Sequence, residues 1–196
     1  MTMNSPMSLV NRAHQFNTML GSCEVTHKNG SAYELEAAIA EACKQLAVVR
    51  DSGRGLYLVG NGGSAGVASH AMTDFFNVAK LRATTLHDLS LLTCMANDYG
   101  YENAFARILA QMVRPGDVVI AISSSGNSMN IRNAALQTQL NHGSVITFSG
   151  FKRENPLRAM GEINFWLDSC DYGLVEIGHQ FILHNISDRF GAGLLP

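Results

Sequence analysis

The chain has 196 residues and a formal net charge of −2, and 46% of its residues are hydrophobic while only 15% are charged. This composition is that of one globular domain with a sizeable core, and no run of lysine or arginine indicates a nucleic-acid-binding surface. No signal segment opens the sequence and no apolar run reaches membrane-spanning length, so we expect a cytoplasmic protein with no membrane and no nucleic-acid partner.

Four cysteines are spaced too widely to form a CxxC pair: Cys23, Cys43, Cys94 and Cys170. In a chain of this length they indicate reduced thiols, which agrees with an intracellular location. The low proportion of charged residues also suggests that part of the surface is buried between subunits.

Residues 1–30 are predicted to form a helical leader. Apolar residues recur at helical spacing over residues 8–20, and glycines then break the pattern. Ser31 is followed three residues later by Glu34, the pattern of a capping box, which predicts a long helix over residues 31–52. These two helices could pack as a hairpin on a sheet or pair between subunits.

Over residues 31–196 the predicted elements alternate between strand and helix and are joined by short loops. This alternation predicts one α/β domain built on a doubly wound, parallel, five-stranded sheet. The predicted strands cover residues 56–59, 83–86, 118–122, 145–148 and 163–167. The predicted helices after the first strand cover residues 65–76, 89–97, 102–112, 129–142 and 174–190, with a short helix beginning near Asn155.

The apolar strand over residues 118–122 leads into a hydroxyl-rich turn and then a helix; the turn is Ser123-Ser124-Ser125-Gly126-Asn127-Ser128. The first N–H groups of a helix have no internal partners and favour anions, so this turn predicts a phosphate site. The Gly-Lys-Ser/Thr ending of a P-loop is missing, so nucleotide hydrolysis is not expected. A polar loop with a capping serine is the alternative interpretation.

The first predicted strand ends in a similar turn, Gly60-Asn61-Gly62-Gly63-Ser64. Glycines such as Gly62 and Gly63 permit close approach of the backbone to a ligand. The turn lacks the third glycine of the dinucleotide fingerprint, and no acidic residue ends a second strand, so no nucleotide cofactor is expected. Two such turns predict one ligand, held at the carboxyl edge of the sheet.

Acidic and imidazole side chains lie on two of the predicted helices. His70 and Asp74 share one helical face, and Glu176 and His184 lie eight residues apart on the last helix. They could form acid/base partners or a metal site, and polar residues of a surface or a subunit interface are the alternative. His179 points in a different direction on the same helix and is predicted to be structural.

Four stretches occur together in a fixed order: residues 60–64, 96–102 and 123–128, and a closing helix that carries Glu176 and His184. Together they resemble the SIS (sugar isomerase) domain family, and within it the phosphoheptose isomerases. The resemblance implies a flavodoxin-like sheet and a homotetramer with active sites between subunits. It also implies aldose–ketose isomerisation of a phosphorylated sugar, from sedoheptulose 7-phosphate to D-glycero-D-manno-heptose 7-phosphate.

The resemblance further implies roles for individual residues. The catalytic pair would be His184 and Asp74, the latter standing where the family has glutamate. Some members of the family bind zinc, so a divalent metal, zinc before others, would bind this pair together with His70 and Glu176, the latter standing where the family has glutamine. The predicted substrate contacts are Asn61, Gly62, Gly63, Ser64, Asp98, Ser123, Ser124, Ser125 and Ser128, of which the serines hold the phosphate.

One geometric condition applies to the predicted metal site. Glu176 and His184 lie about 12 Å apart along an ideal helix, so they can share a metal only if the helix end is frayed or long side chains converge. If both carboxylates took part, the more anionic site would favour a divalent cation.

Two departures from the family pattern remove polar contacts to a long sugar. Residues 75–78 lack the family's basic residue, and residues 173–175 lack its Asp-Arg pair. Two hypotheses follow: an isomerase that transfers a proton through an enediolate, or a non-catalytic SIS protein. The second would sense a phosphosugar or bind a partner, as does the relative that associates with the replication initiator. The presence of His70, Asp74 and His184 favours the enzyme.

Overall fold

A computed structural model of the protein describes residues 7–194. Its N-terminal part contains the predicted helix α1 (Leu9–Gly21). Two short strands that the sequence did not predict follow it, β1 (Glu24–His27) and β2 (Ala32–Tyr33). β1 pairs antiparallel with β2 on one side and with the last strand of the chain on the other. The predicted leader therefore contributes a strand to the sheet, although its first six residues lie outside the described part.

The predicted capping box of Ser31 and Glu34 is wrong. Helix α2 (Leu35–Asp51) begins after Glu34, and Ser31 instead precedes β2. The Glu34 carboxylate accepts hydrogen bonds from the backbone N–H groups of Glu36 and Ala37, at 3.0 and 2.7 Å. These two bonds lower the pKa of Glu34, and the helix dipole favours its charge at this end. Glu34 thus caps the helix by itself.

All five predicted strands are confirmed and form the parallel part of the sheet: β3 (Gly55–Val59), β4 (Arg82–Thr85), β5 (Val118–Ser123), β6 (Ser144–Ser149) and β7 (Ile163–Trp166). The strand order is β2-β1-β7-β6-β5-β3-β4. The sheet therefore has seven strands rather than the predicted five, because the antiparallel strands β1 and β2 join it. Numbered by themselves, the parallel strands have the order 2-1-3-4-5 of flavodoxin-like folds.

Helices cover both faces of this sheet. The remaining helices are α3 (Gly63–Asn77), α4 (Leu89–Tyr99), α5 (Ala104–Met112), α6 (Met129–Leu140) and α7 (Tyr172–Gly191), with 3-10 segments at Tyr101–Asn103 and Pro156–Ala159. One apolar core joins the sheet to α1, α2, α3 and α7, and a second joins it to α5 and α6. Among the described residues, no helix has both the length and the apolar character needed to cross a membrane.

The two cores lie on opposite faces of the central strand β5. All six of its residues are buried, and Ile120 packs in the first core while Val119 packs in the second, as alternation along a strand requires. β5 pairs with β3 on one side and β6 on the other. The connection after β3 therefore leads to β4 on one side of the sheet, and the connection after β5 leads to β6 on the other side. Ligands bind at such a switch point in open α/β sheets, and both predicted turns begin there.

His179 on α7 is structural, as predicted. It is fully buried, and its Nε2 atom lies 3.1 Å from the carbonyl oxygen of Ser149 at the end of β6. Its ring packs edge-on against Phe148. Burial lowers the pKa of His179 to about 4, and the bond to Ser149 opposes this only in part. The imidazole is therefore neutral near pH 7 and anchors α7 to the sheet.

Candidate active site

The first turn runs from the end of β3 directly into α3. A Cβ on Gly60 would lie 2.5 Å from the carbonyl oxygen of Ser64, so only glycine lets the strand and the helix meet this closely. Gly62 is the N-cap residue of α3, has a φ of +53°, and provides no side-chain cap. Gly63 is the first helical residue, and Ser64 is buried in the turn. The start of α3 therefore has no hydroxyl or amide cap from its own N-cap residue.

The second turn runs from β5 to Ser128, the N-cap residue of α6, which also makes no side-chain cap hydrogen bond. Ser123 Oγ donates to Ser128 Oγ at 3.3 Å, and Ser125 Oγ accepts from the backbone N–H of Asn127 at 3.2 Å. Ser124 differs from these, because its Oγ is buried without a hydrogen-bond partner among the described residues. An unpaired hydroxyl beside an open helix N-terminus is suited to an anion.

An amide pair joins the two turns. Asn61 in the first turn and Asn130 in α6 exchange two hydrogen bonds of 2.9 Å each. Tyr101 Oη donates to Asn61 Oδ1 at 2.7 Å. Asn61 is a predicted site residue, whereas Asn130 and Tyr101 were not predicted. Tyr101 lies inside one of the four resembling stretches, and Asn130 follows Ser128 by two residues, so their positions beside the motifs were the available signal.

His70 and Asp74 on α3 lie next to His184 on α7. Asp74 Oδ2 is 3.2 Å from His184 Nδ1 and 3.6 Å from His70 Nε2, and the Nε2 atoms of the two histidines are 3.0 Å apart. The two helices pack side by side, and the i, i+4 spacing on α3 presents both of its residues to α7. The His70 side chain is 55% exposed, so the cluster is open to solvent on one side.

These three side chains fit a divalent metal. One candidate ligand atom from each lies within 4.8 Å of the others. Asp74 Oδ2 is buried, and no donor among the described residues is aligned to bond it. Ligand atoms around tetrahedral Zn²⁺ lie roughly 3.4 Å apart, given bonds of about 2.0–2.1 Å, which is close to the separations of 3.2 and 3.6 Å. Three ligands also leave a fourth position open.

Glu176, the predicted fourth ligand, lies outside this cluster. Helix α7 is regular from Tyr172, so the frayed end that would bring Glu176 towards His184 does not occur. The Glu176 carboxylate instead lies against Gly63 and occupies the space that a Cβ there would need. Its negative charge is therefore close to the start of α3, where the helix dipole stabilises it.

Asp98, a predicted substrate contact, lies in the last turn of α4 and is exposed. Its Oδ1 atom accepts a hydrogen bond from Asn97 at 2.9 Å, and its Oδ2 atom lies 3.6 Å from Cys94 Sγ. The carboxylate raises the pKa of the Cys94 thiol, which keeps that thiol protonated near pH 7. The role of Asp98 towards a sugar stays a prediction.

His87, which was not predicted, contacts α3, the helix that follows the first turn. Its Nδ1 atom lies 3.3 Å from Ser69 Oγ on α3, and its ring packs edge-on against Phe105 of α5. Burial lowers the pKa of His87, and its Nε2 atom is buried without a hydrogen-bond partner among the described residues. The imidazole is thus neutral near pH 7 and packs between α3 and α5.

Comparison with known proteins defines the class. A family model described as the SIS domain matches residues 27–150, more than half of the chain. The structure of phosphoheptose isomerase GmhA from Neisseria gonorrhoeae aligns with a TM-score of 0.75 and 23% identity over 93% of this chain and 92% of that one. A phosphoheptose isomerase from Francisella tularensis gives a TM-score of 0.78 and 23% identity over 95% and 100%. The fold is that of a SIS domain, and both turns lie within the residues that match the family model.

Sequence relatives narrow the class further. The phosphoheptose isomerase of Trichlorobacter lovleyi is 32% identical over 167 residues, which cover 82% of this chain and 85% of the relative. That of Mycobacterium tuberculosis is 36% identical over 161 residues, covering 79% and 81%. The chain belongs to the phosphoheptose isomerase family, in agreement with the resemblance of its motifs.

Proposed function

We propose that the protein is an aldose–ketose isomerase that interconverts sedoheptulose 7-phosphate and D-glycero-D-manno-heptose 7-phosphate. Relatives at 32% and 36% identity are named phosphoheptose isomerases. Within this chain the observation that carries the proposal is the contact between Asp74 on α3 and His184 on α7, which lie 3.2 Å apart. Phosphate binding alone requires no such acid/base pair, whereas isomerisation does.

The phosphate of the sugar is assigned to the start of α6. Ser124 Oγ has no partner among the described residues and can donate to a phosphate oxygen. Ser128, the N-cap residue of α6, makes no side-chain cap hydrogen bond, and among the first N–H groups of α6 that of Ile131 is bonded to Asn130 Oδ1. The start of α3 is the other uncapped helix end at this edge, but Glu176 already places a negative charge beside it. Like-charge repulsion therefore favours the serine turn for the phosphate.

The reaction removes a proton from the carbon next to the carbonyl group and returns a proton to the neighbouring carbon of the enediolate. Asp74 and His184 supply the base and the acid, and the two groups exchange these roles when the reaction runs in reverse. Phosphate binding at the distant end supplies energy that orients the reacting carbons. Asp74 is one methylene shorter than the glutamate of the family, so the position of its carboxylate depends on the position of the α3 backbone.

A divalent metal, with zinc the preferred ion for two imidazoles and a carboxylate, would be held by His70, Asp74 and His184. Bound there, it would supply a Lewis acid that polarises oxygens of the sugar. The chain's own contribution is to fix three metal-ligand atoms on two packed helices. One of these atoms is Asp74 Oδ2, which is buried and has no hydrogen-bond partner among the described residues.

Replacing His70 by alanine is expected to reduce the zinc affinity of the protein by tenfold or more, since loss of even an outer-shell partner costs about 10–100-fold. Metal content and a chelator competition titration measure this. Glu176→Ala is the matched control, and it should keep the parent affinity because Glu176 lies outside the cluster. Equal losses in the two variants would show that Glu176 is a ligand and that the three-residue assignment is wrong.

We also propose that the protein forms a homotetramer whose active sites lie between subunits, as the motif resemblance implies. Asp74 follows Ser64 by ten residues on α3, about 15 Å along the helix axis, so one chain holds the pair and the turns well apart. The same two helices expose large apolar side chains, among them Phe76, Ile177 and Phe181. A second chain packed on this surface would bury them and could present its serine turn to the cluster.

The test is isomerisation of sedoheptulose 7-phosphate by the purified full-length protein, followed by NMR in D₂O. An enediolate mechanism predicts conversion together with deuterium at the carbon that receives the proton. If the protein binds sugar phosphates but converts none of them, the isomerase is excluded and the non-catalytic SIS protein is supported.

A further inference from the structure

The side-chain amide of Asn61 has almost no free hydrogen-bonding capacity. Its oxygen accepts two hydrogen bonds, from Tyr101 Oη at 2.7 Å and from Asn130 Nδ2 at 2.9 Å. Its nitrogen donates to Asn130 Oδ1, also at 2.9 Å. A carboxamide has two acceptor sites and two donor hydrogens. One N–H of Asn61 therefore remains for a ligand, and no acceptor site remains.

The orientation of both amides follows from a backbone group. The N–H of Ile131 donates to Asn130 at 3.0 Å, so the Asn130 atom in that position must be the oxygen. The Asn130 nitrogen then faces Asn61, whose own oxygen accepts from it and from Tyr101. Asn130 is only 3% exposed, so water competes little for the pair. The free N–H of Asn61 is thus fixed in direction before any ligand binds.

We propose that Asn130 and Tyr101 are positioning residues for the sugar phosphate, acting through Asn61. They hold its amide so that the one free N–H donates to an oxygen of the ligand, and they tie the turn after β3 to the start of α6. This inference rests on the proposed function and adds two residues to it. It also defines the chemistry at Asn61, which recognises an acceptor oxygen and cannot accept from a sugar hydroxyl.

A double-mutant cycle on ligand affinity tests this. The dissociation constant for sedoheptulose 7-phosphate is measured for the parent, Asn61→Ala, Asn130→Ala and the double variant, all full-length. Each single change is expected to weaken binding roughly tenfold, and the double variant no further, because Asn130 has nothing to position once the Asn61 amide is absent. If binding to the double variant is instead weaker by the product of the two single effects, roughly a hundredfold, the inference is overturned.

Tyr101→Phe provides a second cycle that does not depend on a buried residue. Tyr101 is 49% exposed, and the substitution removes only the hydroxyl, so the fold is not at risk. Binding should weaken roughly fivefold in the parent background and not at all in the Asn61→Ala background. An equal loss in both backgrounds would show that Tyr101 acts independently of Asn61, contrary to the inference.

Asn133→Ala is the matched control for Asn130→Ala. Asn133 also lies on α6, and it donates to the carbonyl oxygen of Glu102 at 2.9 Å and to Asn103 Oδ1 at 3.2 Å. Its loss should lower the melting temperature and leave the dissociation constant within about twofold of the parent value.

A second control on α6 is Gln137→Ala, because Asn133 donates to the two residues that flank Tyr101. The side-chain N–H of Gln137 donates, among the described residues, only to Asn141 Oδ1, at 2.7 Å, and the same expectation applies to its substitution. A loss of affinity equal to that of Asn130→Ala would reveal general damage to α6 and overturn the positioning role.

Failure of the function and failure of the inference can be told apart. If the parent protein does not bind sedoheptulose 7-phosphate, the proposed function and the inference fail together. If the parent binds it and both cycles are multiplicative, only the positioning role of Asn130 and Tyr101 is lost.

Discussion

Replacing His184 by alanine is expected to lower kcat/KM for sedoheptulose 7-phosphate by about 10³-fold, and replacing Asp74 by asparagine by a similar factor. Each change removes one of the two groups proposed to move the proton. Both residues lie on the α3 and α7 pair, whereas the phosphate is assigned to the start of α6, so the affinity for inorganic phosphate should stay within about twofold. Steady-state kinetics and a phosphate titration measure the two quantities.

Asp74→Asn is the sharper of the two variants because it preserves the volume of the side chain. The carboxylate oxygen that faces both imidazoles becomes part of a neutral amide, which can neither take up a proton nor balance an imidazolium. Asn77→Ala, three residues further along α3 at an exposed position, is the matched control and should retain full activity. The assignment is wrong if both variants of the pair keep more than about a tenth of the parent activity.

Hybrid oligomers test whether the serine turn and the catalytic pair of one site come from different chains. Ser124→Ala damages the turn and His184→Ala damages the pair, and each homo-oligomer has a lesion in every site. If each site is shared between two chains, a hybrid oligomer from co-expression can contain one site with both substitutions and another site with neither. The site with neither substitution is intact, so part of the activity should return. If both parts come from one chain, every site stays defective.

The parallel part of the fold can be predicted because its signals are local. Most parallel strands contain a short apolar run between polar loops, and β5 is buried along its whole length, whereas β4 is mainly polar. The antiparallel strands lack such a signal, because β1 includes the polar residues Glu24 and Thr26 and β2 has only two residues. Their pairing with each other is a local hairpin, but the pairing of β1 with β7 depends on distant sequence. The hairpin places Ser31 ahead of a strand and moves the cap of α2 to Glu34.

The candidate site divides in the same way between local and distant information. The glycine- and serine-rich turns are local patterns, and their expected convergence follows from the strand order. Helix packing decides the rest: it brings His184 to α3, whereas the rise of α7 carries Glu176 to the other end of that helix. Tyr101 lies inside a motif and Asn130 lies beside one, but their link to the site is visible only in the hydrogen bonds that Asn61 makes to both.

Ser124→Ala is expected to weaken binding of phosphate and of the sugar phosphate by about 10–100-fold. This range corresponds to the loss of one hydrogen bond to a charged group, about 1.5–3 kcal/mol. The same substitution should raise the free energy of unfolding without ligand by about 1 kcal/mol, because it removes a buried hydroxyl that has no partner among the described residues. Phosphate titration and denaturant unfolding with and without phosphate measure both effects.

The opposite signs of these two effects are what separate a binding hydroxyl from a structural one. Ser149 provides the comparison, since it is equally buried at the end of the neighbouring strand β6 but its hydroxyl accepts a hydrogen bond from Asn155 Nδ2 at 3.2 Å. Ser149→Ala should therefore lower the free energy of unfolding by about 1 kcal/mol. If Ser124→Ala also destabilises the unliganded protein and leaves phosphate affinity unchanged, the hydroxyl is structural and the phosphate must bind elsewhere. A protein that keeps such a hydroxyl unpaired gives up stability when empty and recovers it when the anion binds.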